Sequence, residues 1–218
     1  MNNMQRVGGY AALVSGVQFL AILVIAFGIL GPLGVTPGAP PDVVLAAAAE
    51  SSTPFLIQSL VVALFSITVV LSALAVRERL QAGAPNRMRI AVIAASVGSA
   101  LFLGGGITSF GGLPTIVAAN DLATFRVLDV VYQGLLTSAI FATGWTLILW
   151  GLAGLSTKGL PTALNYIMLV GGVVAVLAFA IPILGLLGVV INVVWAFWLG
   201  LVLLRQPAAM AVRAKPAM

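Results

Sequence analysis

Arg126, Asp129, Gln133 and Thr137 stand at i, i+3, i+7 and i+11, with Tyr132 beside them, a spacing that puts them on one face of an α-helix. A guanidinium, a carboxylate, an amide and two hydroxyls within an apolar stretch can hold a polar ligand, an ion or a proton. In lipid such groups are costly unless they face a bundle interior or a watery cavity, so they form a candidate ligand- or ion-binding site. The plainer alternative is an Arg126–Asp129 pair reaching to water, with Asp129 favoured by the positive helix start and Gln133 bonded to a neighbouring helix. Asn192 is a second candidate, sharing a face with Trp195 and Leu199. With Gln18, Ser66 or Gln133 it could line a polar pocket, although a mid-span amide usually bonds across helices.

The chain has no Cys and no His. That excludes thiolate or imidazole zinc sites, haem held by His or Cys, iron–sulfur clusters, Cys nucleophiles and Ser-His-Asp triads. Asp129 is the only acid inside an expected span, so no pair of carboxylates can share acid and base roles. A Ser–Lys dyad would need Lys158, which lies in a loop, and no mid-span Lys exists for a Schiff base. Enzymatic chemistry therefore has thin support, and no catalytic residue or cofactor is assigned. Asp42, Glu50, Asp121 and Asp129 could converge on a divalent cation through oxygen, but calcium-loop spacing is absent and no metal site is assigned.

These side chains must be positioned by membrane helices. With 61% hydrophobic and 7% charged residues, the chain lies far from the soluble norm of roughly 45–50% apolar and about 25% charged. Apolar runs mark spans at about 7–30, 54–76, 90–110, 127–150, 162–181 and 186–204, each near the roughly 20 residues that a hydrocarbon core of about 30 Å requires. The first is too long for a signal-peptide core and reads as a retained span. The charge-free stretch 159–204 would reach about 69 Å as one helix, so it must fold back, with Pro182 and Gly185 to Gly188 as the turn. Gly31-Pro32-Leu33-Gly34 ends the first span, and Pro37, Pro40 and Pro41 keep it ended. Asp42 then opens a short interfacial helix, about 42–50. Gly111-Gly112-Leu113-Pro114 is expected to close the third span, and Gly151, Gly154 and Gly159 to mark a loop after the fourth. The expected fold is all-α, one membrane domain over 1–218, a bundle of six transmembrane helices.

Charge sets the expected orientation. The loop carrying Arg77, Arg79, Arg87 and Arg89 holds to the cytoplasm, which also puts Arg6, Lys158, Arg205, Arg213, Lys215 and both termini there, leaving Arg126 outside. The net charge of +5 is explained by this orientation; no basic stripe with interleaved aromatics points to nucleic acid. Two small-residue stripes, Gly8/Ala12/Gly16 and Ser96/Ala100/Gly104, have the four-residue spacing that lets helix backbones approach in lipid. Trp145, Trp150 and Tyr166 fit an aromatic belt at the inner interface.

The layout resembles a bacterial membrane-protein family known as domain of unknown function 4386. The likeness lies in the short polar start, Pro41-Asp42 in an outer loop, the basic Arg77–Arg89 loop and the closing Val194-Trp195-Ala196-Phe197-Trp198. It implies a six-helix protein of the bacterial inner membrane and carries over no functional residue. The function expected is an accessory or scaffold subunit whose small-residue faces bind other membrane helices. The alternative is a small transporter or lipophilic-ligand-binding protein with an outward polar site on span four. Expected partners are membrane lipids, with other membrane subunits or a small lipophilic ligand, and no nucleic acid.

Overall fold

Pro and Gly punctuate a chain that otherwise propagates helix. The computed structural model describes residues 3–36, 38–181 and 184–205, and among these every regular element is helical. Pro37, Pro182, Arg213 and Lys215, used in the reading above, lie outside the described residues. Helix α1 (Asn3–Leu23) runs into a π-helical stretch, Val24–Leu30, and a 3-10 turn, Gly31–Leu33, closed by Gly34 at φ 79°. The expected stop after Leu30 is thus real. Helix α2 (Pro41–Glu50) starts with Pro at its first position and Asp42 in its first turn, both suited to a helix N-terminus.

Helix α3 (Thr53–Leu80) and helix α4 (Pro85–Ala119) are separated at Gly83, with Pro85 opening α4. Helix α5 (Leu122–Thr157) is capped by Asp121, whose carboxylate accepts from the Thr124 N–H at 3.0 Å. That bond and a second from the Thr124 hydroxyl hold the Asp121 pKa below its ordinary value. Helix α6 (Thr162–Leu177) and helix α7 (Leu184–Arg205) are the last of the described elements.

Several expected boundaries are corrected. Gly111 to Pro114 does not end a helix: α4 continues to Ala119 with Pro114 inside it. Proline there removes one backbone bond, but buried Leu113 and Ile116 lock this last stretch into an apolar cluster with Leu45, Ala48 and Phe125. Packing outweighs the local break. Gly151 and Gly154 are helical positions of α5, and Gly185 and Gly188 belong to α7. Helix α6 ends at Leu177, short of the expected 181.

Five helices are long and apolar enough to cross a membrane, counting Asn3–Leu33 as one; α6, with 16 residues, is shorter. At 1.5 Å per residue α6 spans about 24 Å, less than a hydrocarbon core. Large apolar side chains such as Val24, Ile107, Val130 and Val170 point outward along these helices, as lipid contact demands.

The six long helices close a ring in chain order: α1 lies between α3 and α7, and α3–α4, α4–α5, α5–α6 and α6–α7 complete the circuit. Backbones touch where side chains are smallest. A Cβ on Gly8 would fall 2.1 Å from the Ala75 Cβ of α3, one on Gly16 2.9 Å from Phe197 of α7, and one on Gly151 2.7 Å from the Asn165 carbonyl of α6. The Gly8/Ala12/Gly16 stripe thus packs inside the chain's own bundle. Ser96 and Ala100, by contrast, are exposed and Gly104 is only half-buried, so this stripe is no internal seam. The α3–α4 seam uses Gly106 instead, two residues on.

Aromatic rings fill the bundle. Phe19, Phe65 and Phe102 form an edge-to-face ladder across α1, α3 and α4, with centroids 4.7 and 5.1 Å apart. Trp150 and Trp195 meet edge-to-face at 6.0 Å between α5 and α7. Trp150 is 1% exposed, so it is a core residue and no part of an interfacial belt; Trp145 and Tyr166 are exposed.

The ring sorts charge by end. Gly8 against Ala75 and Gly9 against Leu204 bring the start of α1 to the ends of α3 and α7. Arg79 Nε donates to the Gly159 carbonyl at 2.7 Å, and an Arg87 guanidinium nitrogen donates to Ser156 Oγ at 3.0 Å. Arg6, Arg77, Arg79, Arg87, Arg89, Lys158 and Arg205 accordingly share one end. Arg126 lies at the other, with Asp42, Glu50, Asp121 and Asp129.

Candidate functional site

At the acidic end the ring does not fill its own axis. An outer cavity of about 570 Å³ opens beneath the 31–39 loop. Its wall comes from the π-helical stretch (Ala26, Phe27, Leu30), α2, α3, α4, α5 and Leu186 of α7. The π turns present these three side chains there; such insertions recur at functional sites, and nothing in the apolar sequence announces this one. Polar groups line one side: Asp129, Gln133 and Tyr132 from α5, Gln58 and Ser59 from α3, and Ser109 from α4.

A second, inner cavity of about 130 Å³ lies within the ring and takes residues from all six long helices. Phe19, Phe65, Phe102, Leu136 and Ile140 make most of its wall apolar, while Gln58, Tyr132, Thr143 and Asn192 supply polar atoms. Gln58 and Tyr132 line both cavities and so stand at the boundary between them. Thr143 is buried, and among the described residues its hydroxyl has no hydrogen-bond partner; it lies at the α4–α5 seam, 3.2 Å from where a Cβ on Gly98 would stand.

Hydrogen bonds hold the site's frame. Ser59 Oγ lies 2.9 Å from both the Phe55 carbonyl and Ser109 Oγ. A hydroxyl has one proton, so Ser59 donates to the carbonyl and accepts from Ser109, tying α3 to α4. Gln133 Nε2 donates to Asp129 Oδ1 at 3.4 Å, one turn apart on α5. The Asn192 amide oxygen accepts from Trp195 Nε1 one turn along α7.

The structure divides the expected residues. Asp129, Tyr132 and Gln133 line the outer cavity and Asn192 the inner one. Arg126 and Thr137 line neither; Arg126 is exposed and Thr137 half-buried. The cavity-facing side of α5 runs through Phe125, Leu128, Asp129, Tyr132, Gln133, Leu136, Ile140 and Thr143. At 100° per residue this face is rotated by about 70° from the one drawn through Arg126, Asp129, Gln133 and Thr137. The polar pattern and the cavity-facing side thus share α5 but not a centre line. Gln18 and Ser66 do not line the inner cavity with Asn192. Gln18 Oε1 is 2.9 Å from Thr68 Oγ1 across α1–α3, and Ser66 bonds its own helix at the Ala63 carbonyl, 2.6 Å.

Gln58, Ser59, Ser109 and Thr143 are the residues that sequence reasoning missed. Only their polarity inside apolar runs set them apart, a signal shared with Ser66, Thr68 and Ser72, which face elsewhere. In chemical terms the site can bind but has little with which to react. Among the described residues Asp129 is its sole ionisable group besides Tyr132, and the Ser59 hydroxyl is spent on a backbone carbonyl. Among the described residues no three acidic, His or Cys side chains gather to hold a metal ion, so Asp42, Glu50, Asp121 and Asp129 share an end without converging. The chain matches no protein-family model, no curated protein and no solved structure.

Proposed function

We propose that this chain is a multi-pass protein of the bacterial inner membrane that binds a small lipophilic ligand with a polar head, taken up from the acidic, outward end. The observation that carries the reading is the inner cavity to which all six long helices contribute, with polar Gln58 and Tyr132 at its mouth. The apolar portion of a ligand would enter the ring among Phe19, Phe65 and Phe102, and its head would meet Gln58, Tyr132, Asp129 and Gln133. The two cavities together offer about the volume of a drug-sized site. Both termini and the arginine-rich loop lie in the cytoplasm, by the positive-inside rule, and the layout stays similar to that of the domain-of-unknown-function-4386 family.

A scaffold role draws support from one stripe only. Gly8, Ala12 and Gly16 are occupied by α3 and α7, whereas Ser96 and Ala100 face outward and remain open to another membrane helix.

Ligand binding is tested with a lipophilic fluorophore such as 1-aminoanthracene titrated into the detergent-purified protein. Saturable binding is expected, weakened at least tenfold by Gly188→Leu, which fills the inner cavity. A Cβ at position 188 would meet only Val174 Cγ1, at 3.7 Å, so this variant should fold. Equal binding by wild type and Gly188→Leu would refute the reading. For orientation, single cysteines introduced at 42 or 121 into this Cys-free chain should react with an impermeant maleimide from outside, and cysteines at 83 or 158 should not.

A further inference from the structure

The four arginines of the α3–α4 corner do two different jobs. Arg79 and Arg87 turn toward α5 and α6, donating to the Gly159 carbonyl and to Ser156, and so brace two loops against each other. Arg77 and Arg89 instead line a separate groove of about 530 Å³ on the outside of the ring, together with Gln81 and Asn86. Both guanidinia are exposed. The acid at this end, Glu78, does not contribute to the groove.

The groove is amphipathic along its length. Arg77, Gln81, Asn86 and Arg89 surround its polar part, and Val92 and Ile93 continue it along α4 toward the apolar belt. Ile93 is 56% exposed, an apolar wall left largely open by the described residues. Two guanidinia and two amides converge on the chemistry of a phosphate diester. A wall of branched aliphatic side chains directly beside them suits an acyl chain. A free phosphate would use the first half of this groove and leave the second bare.

We propose that the Arg77–Arg89 groove is a binding site for the headgroup of an anionic phospholipid, whose first acyl segment lies on Val92 and Ile93. Two cationic side chains match one phosphate and leave net positive charge, so a phosphatidylglycerol-type head is preferred over a zwitterionic one, whose own ammonium would be repelled. The site is independent of the axial cavities and of whatever they bind.

The test uses the full chain in neutral detergent, with thermal unfolding followed as dioleoylphosphatidylglycerol, dioleoylphosphatidylcholine or inorganic phosphate is added. Saturable stabilisation by phosphatidylglycerol alone is expected. Arg77→Gln/Arg89→Gln should weaken it about fivefold per guanidinium, roughly thirtyfold for both. Arg77→Lys/Arg89→Lys should retain most of the effect, and Arg87→Gln, which removes a charge from the same loop outside the groove, should retain all of it. Native mass spectrometry of the wild type from mixed micelles gives a readout that needs no variant, with retained phosphatidylglycerol and no retained phosphatidylcholine expected. The proposal is overturned if Arg77→Gln/Arg89→Gln binds as wild type does, if Arg87→Gln loses as much, if inorganic phosphate stabilises equally, or if no phosphatidylglycerol is retained.

Discussion

Gly104, Gly105 and Gly106 are chemically identical and adjacent, yet alanine at Gly106 should behave differently from alanine at the other two. A Cβ on Gly104 would meet only Leu135 Cδ1, at 3.9 Å, and one on Gly105 would meet Leu135 Cβ at 3.5 Å, both ordinary contacts. On Gly106 it would lie 2.7 Å from the Ser59 carbonyl and from the Ala63 backbone nitrogen, and 2.8 Å from the Ala63 Cβ. Two of these atoms are backbone and cannot swing aside. Restoring contact at about 3.4 Å requires α3 and α4 to part by about 0.7 Å. The Ser59–Ser109 hydroxyl pair, now 2.9 Å apart, would then stretch to about 3.6 Å, beyond hydrogen-bonding range. Overpacking of this kind costs roughly 1–3 kcal/mol, and losing the hydroxyl bond adds about 0.5–1.5 kcal/mol, so Gly106→Ala should destabilise by about 2–4 kcal/mol. Gly104→Ala should be neutral, or stabilising by up to about 1 kcal/mol through helix propensity. Equilibrium unfolding in mixed micelles, followed by tryptophan fluorescence, measures both. A Gly104→Ala cost equal to or above that of Gly106→Ala would refute the seam, and with it the wall of the outer cavity that Ser59 and Ser109 form.

Gly154→Ala would drive a Cβ to 2.0 Å from Asn165 Oδ1 and should destabilise by about 1–3 kcal/mol; the same substitution in an Asn165→Ala background should cost clearly less, which a double-mutant cycle of unfolding free energies measures. Hydrogen bonds from Thr124 hold the Asp121 pKa below 3.8, so the carboxylate's contribution to stability is present above its unfolded-state value and is lost as pH falls through the lower folded-state one. Asp121→Asn should flatten that acid-side slope in melting temperature below about pH 4, and an unchanged slope would show that Asp121 is not its source.

Some elements are legible one residue at a time. Gly83 and Pro85 divide α3 from α4 and Asp121 caps α5, because capping groups and prolines act within one turn of where they stand; Asp42, expected to open α2, sits instead in its first turn, behind Pro40 at the cap and Pro41. Pro114 shows the limit of such reading: the same residue type that opens α4 fails to end it once Leu113 and Ile116 are buried against α2 and α5. Trp150 shows another. Its place near a helix end suggests an interfacial anchor, but contact with Trp195 puts it in the core. For the site, Asp129, Tyr132, Gln133 and Asn192 stood out as polar groups in apolar runs, while Gln58 and Thr143 needed the helices assembled around them.

What the sequence by itself determined is the kind of material and some of the places where it changes: helices apolar enough for lipid, several of the turns between them, and most cationic residues at one end with most acidic ones at the other. Each of these follows from local transfer energies and backbone preferences. Only the tertiary structure decided which face of each helix turns inward, that six helices close into a ring, and that the ring keeps a cavity at its acidic end. In water, hydrophobic periodicity would have revealed those faces. Lipid is as apolar as a protein core, so the periodicity is nearly absent here, and the inward face is chosen by close fit between small residues of different helices.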